Sequence, residues 1–158
     1  MHRLSTLAVV VALLALTSVA SAEGLKSYVG TWKLNVAKSK TEAWTAQSQT
    51  RVYEDWGGGL LHMRYEGTDA QGKPTLGEYV ARFDGKAYPY VFRGAPSAST
   101  ITNTRVDDRT FTFTVLADGK TSFTGTHTIA SDGNSYTNTY KTNGKGEPSS
   151  AALVYDKQ

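Results

Sequence analysis

The stretch "TFTFTVLADGKTSFTGTHTIA", residues 110–130, alternates apolar and polar side chains on both sides of an Asp-Gly turn. Phe111, Phe113 and Val115 occupy every second position before the turn, with threonines between them. A period of two is typical of strands with one buried face, and Asp-Gly closes tight hairpins because both residues accept positive φ. Threonine is β-branched yet polar, so it suits the outer face. The stretch therefore predicts an antiparallel hairpin with an apolar inner face.

The same pattern extends over most of the chain, with turns rich in Gly, Asp, Asn and Pro between short alternating segments. Closing such a meander into a barrel removes its two exposed edges. We therefore predict an all-β, single up-and-down antiparallel barrel of about 8–10 strands. A short irregular or helical segment, Val36–Ser48, would follow the first strand. The predicted strands are Tyr28–Asn35, Gln49–Asp55, Leu60–Gly67, Leu76–Phe83, Ala87–Val91, Ser99–Val106, Thr110–Leu116, Thr121–Ala130, Ser135–Thr142 and Ala151–Tyr155.

The first residues have the pattern of a secretory signal peptide, with a basic start, an apolar run from Leu7 to Leu16 and a small-residue site ending at Ala22. The apolar run is shorter than the ~20 residues that cross a bilayer. We predict cleavage after Ala22, one barrel domain over residues 23–158, and a periplasmic or secreted bacterial protein without a membrane anchor. The chain has no cysteine, which excludes disulfides and cysteine metal sites.

The charge distribution argues against a nucleic-acid partner. The net charge is +3, and Arg3 of the predicted signal peptide contributes part of it. Basic residues alternate with acidic ones along the chain, whereas nucleic-acid binding requires clustered positive charge.

The alternation also predicts which side chains face the barrel interior. Odd-numbered residues face inward in most strands, and Tyr136 and Tyr140 join them if the turn at Gly133 shifts the parity. Tyrosine offers an apolar body with a hydrogen-bonding tip, which suits an amphipathic ligand, although the same rings would also fill a dry core. The predicted ligand-binding residues are Met63, Tyr65, Tyr79, Phe113, Phe123, His127, Tyr136 and Tyr140.

Two histidines follow the predicted signal peptide, and they fall on opposite faces. His127 faces inward, either as a polar anchor or base in a cavity or as a core histidine. His62 falls on the polar face, where we expect it to be solvated. A zinc site needs three ligands, so we predict no metal site. We also predict no cofactor, and we assign no catalytic residue.

The segment "AYPYVFRGAPSAS", residues 87–99, combines aromatic residues with two prolines. Proline lacks the N–H that a central ladder position needs, so Pro89 and Pro96 predict an edge or rim loop. That loop would place three side chains near a barrel mouth, namely Tyr90, Phe92 and Arg93.

Four segments together resemble a known group of barrels. The chain resembles exported bacterial lipocalin-like proteins of unknown role, which are calycin-type barrels that open with a G-x-W motif. The matching segments are "VGTWKLN" with its "AKSK" tail (residues 29–40), "GTDAQGKP" (67–74), "FDGKAYP" (83–89) and "VYDKQ" (154–158).

The resemblance implies how one barrel end is closed. Trp32 would lie across that end, Gly30 would let the strand bend inward, and a basic side chain would pack on the indole. That cation would be Lys157 or Arg51.

A barrel with an aromatic interior predicts an exported carrier or binding protein for a small apolar or amphipathic molecule. Two alternatives stay open. A periplasmic protease inhibitor would insert its N-terminal residues, Glu23–Tyr28, into a secreted protease. A calycin-scaffold isomerase or lyase would use His127 with a tyrosine as acid and base.

Overall fold

The computed structural model describes residues 22–41, 46–94, 98–142 and 150–158. These residues form a closed ten-stranded barrel, in which each strand pairs with its sequence neighbours and the last strand pairs with the first. The predicted all-β up-and-down barrel is therefore confirmed. A 3₁₀ turn, Ala22–Leu25, precedes the strands. They are β1 (Gly30–Thr41), β2 (Ser48–Asp55), β3 (Leu61–Thr68), β4 (Pro74–Ala81), β5 (Asp84–Phe92), β6 (Ser99–Arg105), β7 (Thr110–Ala117), β8 (Lys120–Ile129), β9 (Ser135–Thr142) and β10 (Ser150–Lys157).

The predicted signal peptide, apart from Ala22, lies outside the described residues, and its cleavage stays a prediction. Within the described ranges, no helix has the length and apolar character that crossing a bilayer requires.

β1 closes the barrel because it has a partner on each side. Trp32 lies opposite Arg51 of β2 on one side and opposite Lys157 of β10 on the other. The pairing with β10 shifts register between Asn35 and Lys40, so β1 contains an irregular stretch. Pairing on both sides leaves neither terminal strand as an open edge of the sheet.

The first strand is longer than predicted, because it continues to Thr41 instead of ending at Asn35. Polar side chains hold the irregular stretch. The Ser39 hydroxyl donates to the Asn35 carbonyl at 2.7 Å and accepts from the Val154 N–H at 3.0 Å. A bulge of this kind adds residues without ending the strand. Of the predicted segment Val36–Ser48, residues 42–45 lie outside the described residues.

The alternation of inner and outer faces follows the sequence pattern. In β7 the two phenylalanines and Val115 are buried, whereas the threonines between them are exposed or half-buried. The turn at Gly133, with φ of 71°, shifts the parity before β9, so the condition on which the sequence placed Tyr136 and Tyr140 inside is met. The inward side chains of β9 are Tyr136, Asn138 and Tyr140.

One end of the barrel is filled by residues that precede β1 and by one residue near its start. Leu25 and Tyr28 precede β1, Trp32 belongs to it, and all three are buried. Tyr28 was predicted to begin the first strand, but it lies in the turn that enters the barrel, and its ring contacts Phe83 and Phe111 at centroid distances of 5.3 and 5.4 Å. A single inward aromatic residue does not distinguish a strand from a turn that fills the barrel end. The sequence therefore placed the start of the first strand too early.

β5 contains the predicted strand Ala87–Val91, so this part of the segment that also suggested an edge or rim loop belongs to the sheet. It pairs with β6 as far as Pro89 and with β4 from Tyr90 onward. Proline is tolerated there because the strand is changing from one neighbour to the other. Tyr90 is buried and Phe92 half-buried, while Arg93 follows the strand and is exposed. Pro96 lies outside the described residues.

Candidate functional site

The barrel interior has a packed half, which lies next to Trp32, and a cavity half at the opposite end. In the packed half, Phe111, His127, Tyr136 and Tyr155 form a continuous stack. Successive ring centroids are 4.6, 4.1 and 4.6 Å apart, and the planes lie within 28° of each other. Rings at these separations are in van der Waals contact, so this half is a filled core.

Trp32 lies at the base of the packed half. Its indole Nε1 donates to the Tyr28 carbonyl at 2.9 Å, and its ring meets Tyr136 edge-on at 5.0 Å. The Lys157 ammonium lies 4.9 Å from the indole centroid, within cation–π range. Gly30 has φ of 138°, a conformation that side chains rarely adopt. Of the two predicted cations, Lys157 is therefore the one that packs on Trp32.

His127 is part of the packed core. Its side chain is 1% exposed, and neither ring nitrogen has a hydrogen bond of ordinary length. Burial lowers the pKa of His127 well below its usual 6.5, and the positive charge of Arg51 acts in the same direction. The ring is therefore neutral at physiological pH.

The cavity half holds a cavity of about 390 Å³. Nine of its 19 lining residues are aromatic, and Tyr65, Phe92 and Phe123 are only half-buried, so solvent reaches it. The lining residues come from β2 to β9 and the turns at that end. They are Ala46, Gln49, Arg51, Tyr53, Tyr65, Asp69, Ala70, Gln71, Thr75, Tyr79, Tyr90, Phe92, Ile101, Phe111, Phe113, Phe123, Asn138, Tyr140 and Thr142.

The tyrosines of the cavity remain hydrogen-bond donors. Burial raises the pKa of Tyr79 and of Tyr90 well above the usual 10, and it also raises that of Tyr65. Protonated hydroxyl groups can donate to an oxygen of a ligand, while the ring faces contact an apolar body.

Arg51 provides the positive charge inside the barrel. Its Nε donates to Gln49 Oε1 and its Nη2 donates to the Tyr140 hydroxyl, both at 2.8 Å. The guanidinium carbon lies 4.9 Å from the Tyr155 ring centroid and 5.5 Å from that of Tyr65. The Tyr155 hydroxyl also donates to Gln49 Oε1, so the two residues share one acceptor.

The structure divides the predicted ligand-binding residues between the two halves. Five of them, Tyr65, Tyr79, Phe113, Phe123 and Tyr140, line the cavity. The other three lie in the packed core and do not line it, namely Met63, His127 and Tyr136. Alternation identifies the inward face of a strand, but it does not indicate depth along the barrel axis.

Several polar residues that line the cavity were not predicted from the sequence. Gln49, Arg51 and Tyr53 alternate along β2 and all face inward. Their spacing was a usable signal, but a charged side chain is rarely buried, so an inward Arg51 was not expected. Asn138 was also missed as a lining residue. Its Nδ2 donates to the Tyr140 hydroxyl at 3.0 Å.

His62 is not the solvated residue that the sequence predicted. It does lie on the outer face, but it is only 4% exposed because Trp56 covers its ring at a centroid distance of 4.3 Å. Its Nδ1 lies 2.8 Å from Glu54 Oε2 and its Nε2 lies 2.7 Å from Glu78 Oε1. The hydrogen bond to His62 lowers the Glu54 pKa.

His62 and its two carboxylate partners form a hydrogen-bonded cluster on the outer face of the barrel. Within the described ranges, no group of three or more His, Asp or Glu side chains is arranged to hold a metal ion.

Solved structures share the barrel fold. The crystal structure of Rv2717c from M. tuberculosis matches with a TM-score of 0.58 and 15% identity, over 87% of this chain and 98% of that chain. A redesigned beta barrel matches with a TM-score of 0.52 and 14% identity, over 86% of this chain and 96% of that chain. At such identities the likeness shows the fold alone. No family model and no curated protein matches the sequence.

Proposed function

We propose that this protein binds a small amphipathic molecule in the cavity half of its barrel. The observation behind this proposal is the cavity itself. About 390 Å³ of space lies between aromatic side chains in one half of the barrel, whereas packed side chains fill the other half. Ligand sites in proteins typically enclose ~300–1,000 Å³ and have apolar walls with a few polar groups. This cavity fits that description.

The composition of the lining supports an amphipathic occupant. Phe113, Phe123 and Ile101 offer apolar surface, which a ligand would cover at a gain of about 25 cal/mol per Å². Arg51 and the tyrosine hydroxyl groups offer polar partners on the same surface. A ligand with one polar end and an apolar body would satisfy both kinds of surface.

We also propose a cellular location for the protein. The signal-peptide pattern that ends at Ala22 supports export to the periplasm or beyond. The G-x-W segment together with the closed barrel supports the resemblance to exported lipocalin-like proteins. We therefore propose an exported carrier or binding protein of that type.

The two alternatives have less support. A protease inhibitor would need its N-terminal residues free, but Leu25 and Tyr28 are buried in the barrel end. An isomerase or lyase would need His127 beside a substrate, but its ring is stacked between Phe111 and Tyr136, outside the cavity lining.

A cavity-filling substitution tests the proposal. Thr75→Trp places an indole in the cavity, because Thr75 faces inward on β4 and lines it. Thr112→Trp is the matched control, because Thr112 is exposed on the outer face of β7. The readout is native mass spectrometry of the mature protein purified gently from the periplasm of its own host, together with titration by a fluorescent naphthalene probe.

We expect wild type and Thr112→Trp to bind the probe, or to carry a reproducible added mass that denaturation removes. Thr75→Trp should lose both signals while remaining folded by circular dichroism. Equal binding by the two variants would place the probe outside the cavity, and no binding by any form would refute the proposed function.

A further inference from the structure

The Arg51 side chain has no negatively charged partner in residues 22–41, 46–94, 98–142 and 150–158. Among the described residues, no carboxylate forms an ion pair with it. Asp69 is the one carboxylate among the lining residues, and its Oδ1 already accepts the N–H groups of Gln71 and Lys73 at 2.9 and 2.8 Å. Within the part of the chain that the structure describes, the guanidinium therefore remains a positive charge in an aromatic cavity without a counter-charge.

An unpaired charge among aromatic side chains is costly, because protein groups replace only part of its hydration. Here neutral groups supply that part: the Gln49 amide oxygen, the Tyr140 hydroxyl and the faces of two tyrosine rings. Among the described residues, hydrogen bonds to Gln49, to the Tyr140 hydroxyl and to the Tyr53 hydroxyl use three of the five N–H donors of the guanidinium. The guanidinium therefore has donor capacity left for an acceptor in the cavity.

The surroundings of Arg51 also hold it in one orientation. Gln49 Oε1 is shared with the Tyr155 hydroxyl, and the Tyr140 hydroxyl is shared with Asn138 Nδ2. These partners come from β2, β9 and β10, so three strands fix the position of one cation. A guanidinium held in this way needs little further ordering when it binds a planar acceptor.

We propose that the ligand is a small organic carboxylate with an apolar body, whose carboxylate pairs with Arg51. This inference depends on the proposed function, since it names the chemical class of the molecule that occupies the same cavity. A carboxylate offers the planar pair of acceptors that a guanidinium fork binds best. The apolar body would extend along the aromatic lining, on which Phe113 and Phe123 lie at a centroid distance of 6.4 Å.

A matched pair of ligands tests this inference in the wild-type chain. The pair is 2-naphthoic acid and 2-naphthamide, which share one body and differ in the charge of the head group. Isothermal titration calorimetry at neutral pH measures both affinities. A hydrogen bond to a charged group is strong enough to favour the acid by about tenfold or more.

Two variants identify the cation responsible. Arg51→Met removes the charge and keeps an apolar stem, and it should abolish the preference for the acid while leaving the amide affinity within about threefold. Lys141→Met is the control, because it removes one positive charge from an exposed position of β9. It should leave the preference unchanged.

The outcomes separate this inference from the proposed function. Equal affinity for acid and amide in the wild type, or a preference that survives Arg51→Met, overturns the role of Arg51 while the cavity remains a binding site. Failure of both compounds to bind, with no added mass in the native spectrum, overturns both. If Arg51→Met does not fold, the wild-type affinity ratio still decides.

Discussion

Mild acid should destabilise this barrel through His127. The imidazole lies between the rings of Phe111 and Tyr136, at centroid distances of 4.6 and 4.1 Å, and is 1% exposed. Burial lowers its pKa in the folded protein well below the usual 6.5, with a further contribution from the charge of Arg51. In the unfolded chain the same ring takes up a proton at its ordinary pKa.

The sign and size of the effect follow from linkage. Below the unfolded-state pKa the unfolded chain binds more protons than the folded one, so the free energy of unfolding decreases as the pH falls. Above that pKa both states are neutral and nothing is lost. The slope approaches about 1.4 kcal/mol per pH unit, so the loss between about pH 7.5 and about pH 5 is about 2 kcal/mol.

The assay is urea unfolding at several pH values, followed by tryptophan fluorescence, on wild type and His127→Phe. Phenylalanine keeps an aromatic ring of similar size in the stack and does not titrate. His62 and all carboxylates are present in both proteins, so the difference between the two stability curves isolates His127. We expect that difference to change by about 2 kcal/mol over the interval. If the difference in unfolding free energy between the two proteins stays constant with pH, the conclusion that His127 is neutral in the folded protein is refuted.

Three further predictions concern other parts of the barrel. Trp32→Ala should lower the free energy of unfolding in urea by about 3–5 kcal/mol, because it leaves a cavity at a fully buried site. A loss below about 1 kcal/mol would contradict the role of Trp32 in closing the packed end of the barrel. Gly125→Ala should cost about 1–3 kcal/mol in the same assay, because its Cβ would collide with the Thr139 carbonyl oxygen; an unchanged midpoint would contradict this geometry. His62→Gln should raise the Glu54 pKa toward its ordinary value in an NMR titration, because the hydrogen bond to the imidazole is the main cause of the lowered pKa. In wild type, the stability that this carboxyl supplies is present above its unfolded-state pKa and is lost as the pH falls through its folded-state pKa. A Glu54 pKa that is the same in both proteins would exclude the contact.

Much of the fold was predictable because its signals are local. The alternation of phenylalanine and threonine in β7 set the inner and outer faces, and the Asp-Gly and Asn-rich turns set the hairpins. The parity of β9 followed from the turn at Gly133. The errors occurred where one residue overrode the local pattern. Pro89 suggested a loop, but it lies where β5 changes partners, and Tyr28 suggested a strand, but it enters the barrel as a plug.

The candidate site was predictable only in part. The aromatic character of the lining was visible in the pattern, and five of the predicted side chains line the cavity. Depth along the axis was not visible. Phe111 and His127 are paired across β7 and β8, and Phe111 reaches the cavity while His127 does not. Depth depends on strand tilt and on the stagger of the closed sheet, which alternation does not encode.

The sequence by itself determined a closed antiparallel barrel with an aromatic interior, because side-chain period and turn chemistry are properties of neighbouring residues. Only the tertiary structure decided what surrounds Arg51. Tyr140 lies 89 positions away in the chain, and the hydrogen bond between Gln49 and Tyr155 spans 106 positions. These groups meet because β1 pairs with both β2 and β10, which brings the two ends of the chain together around one cation. The position of that cation in the cavity is a consequence of the closure.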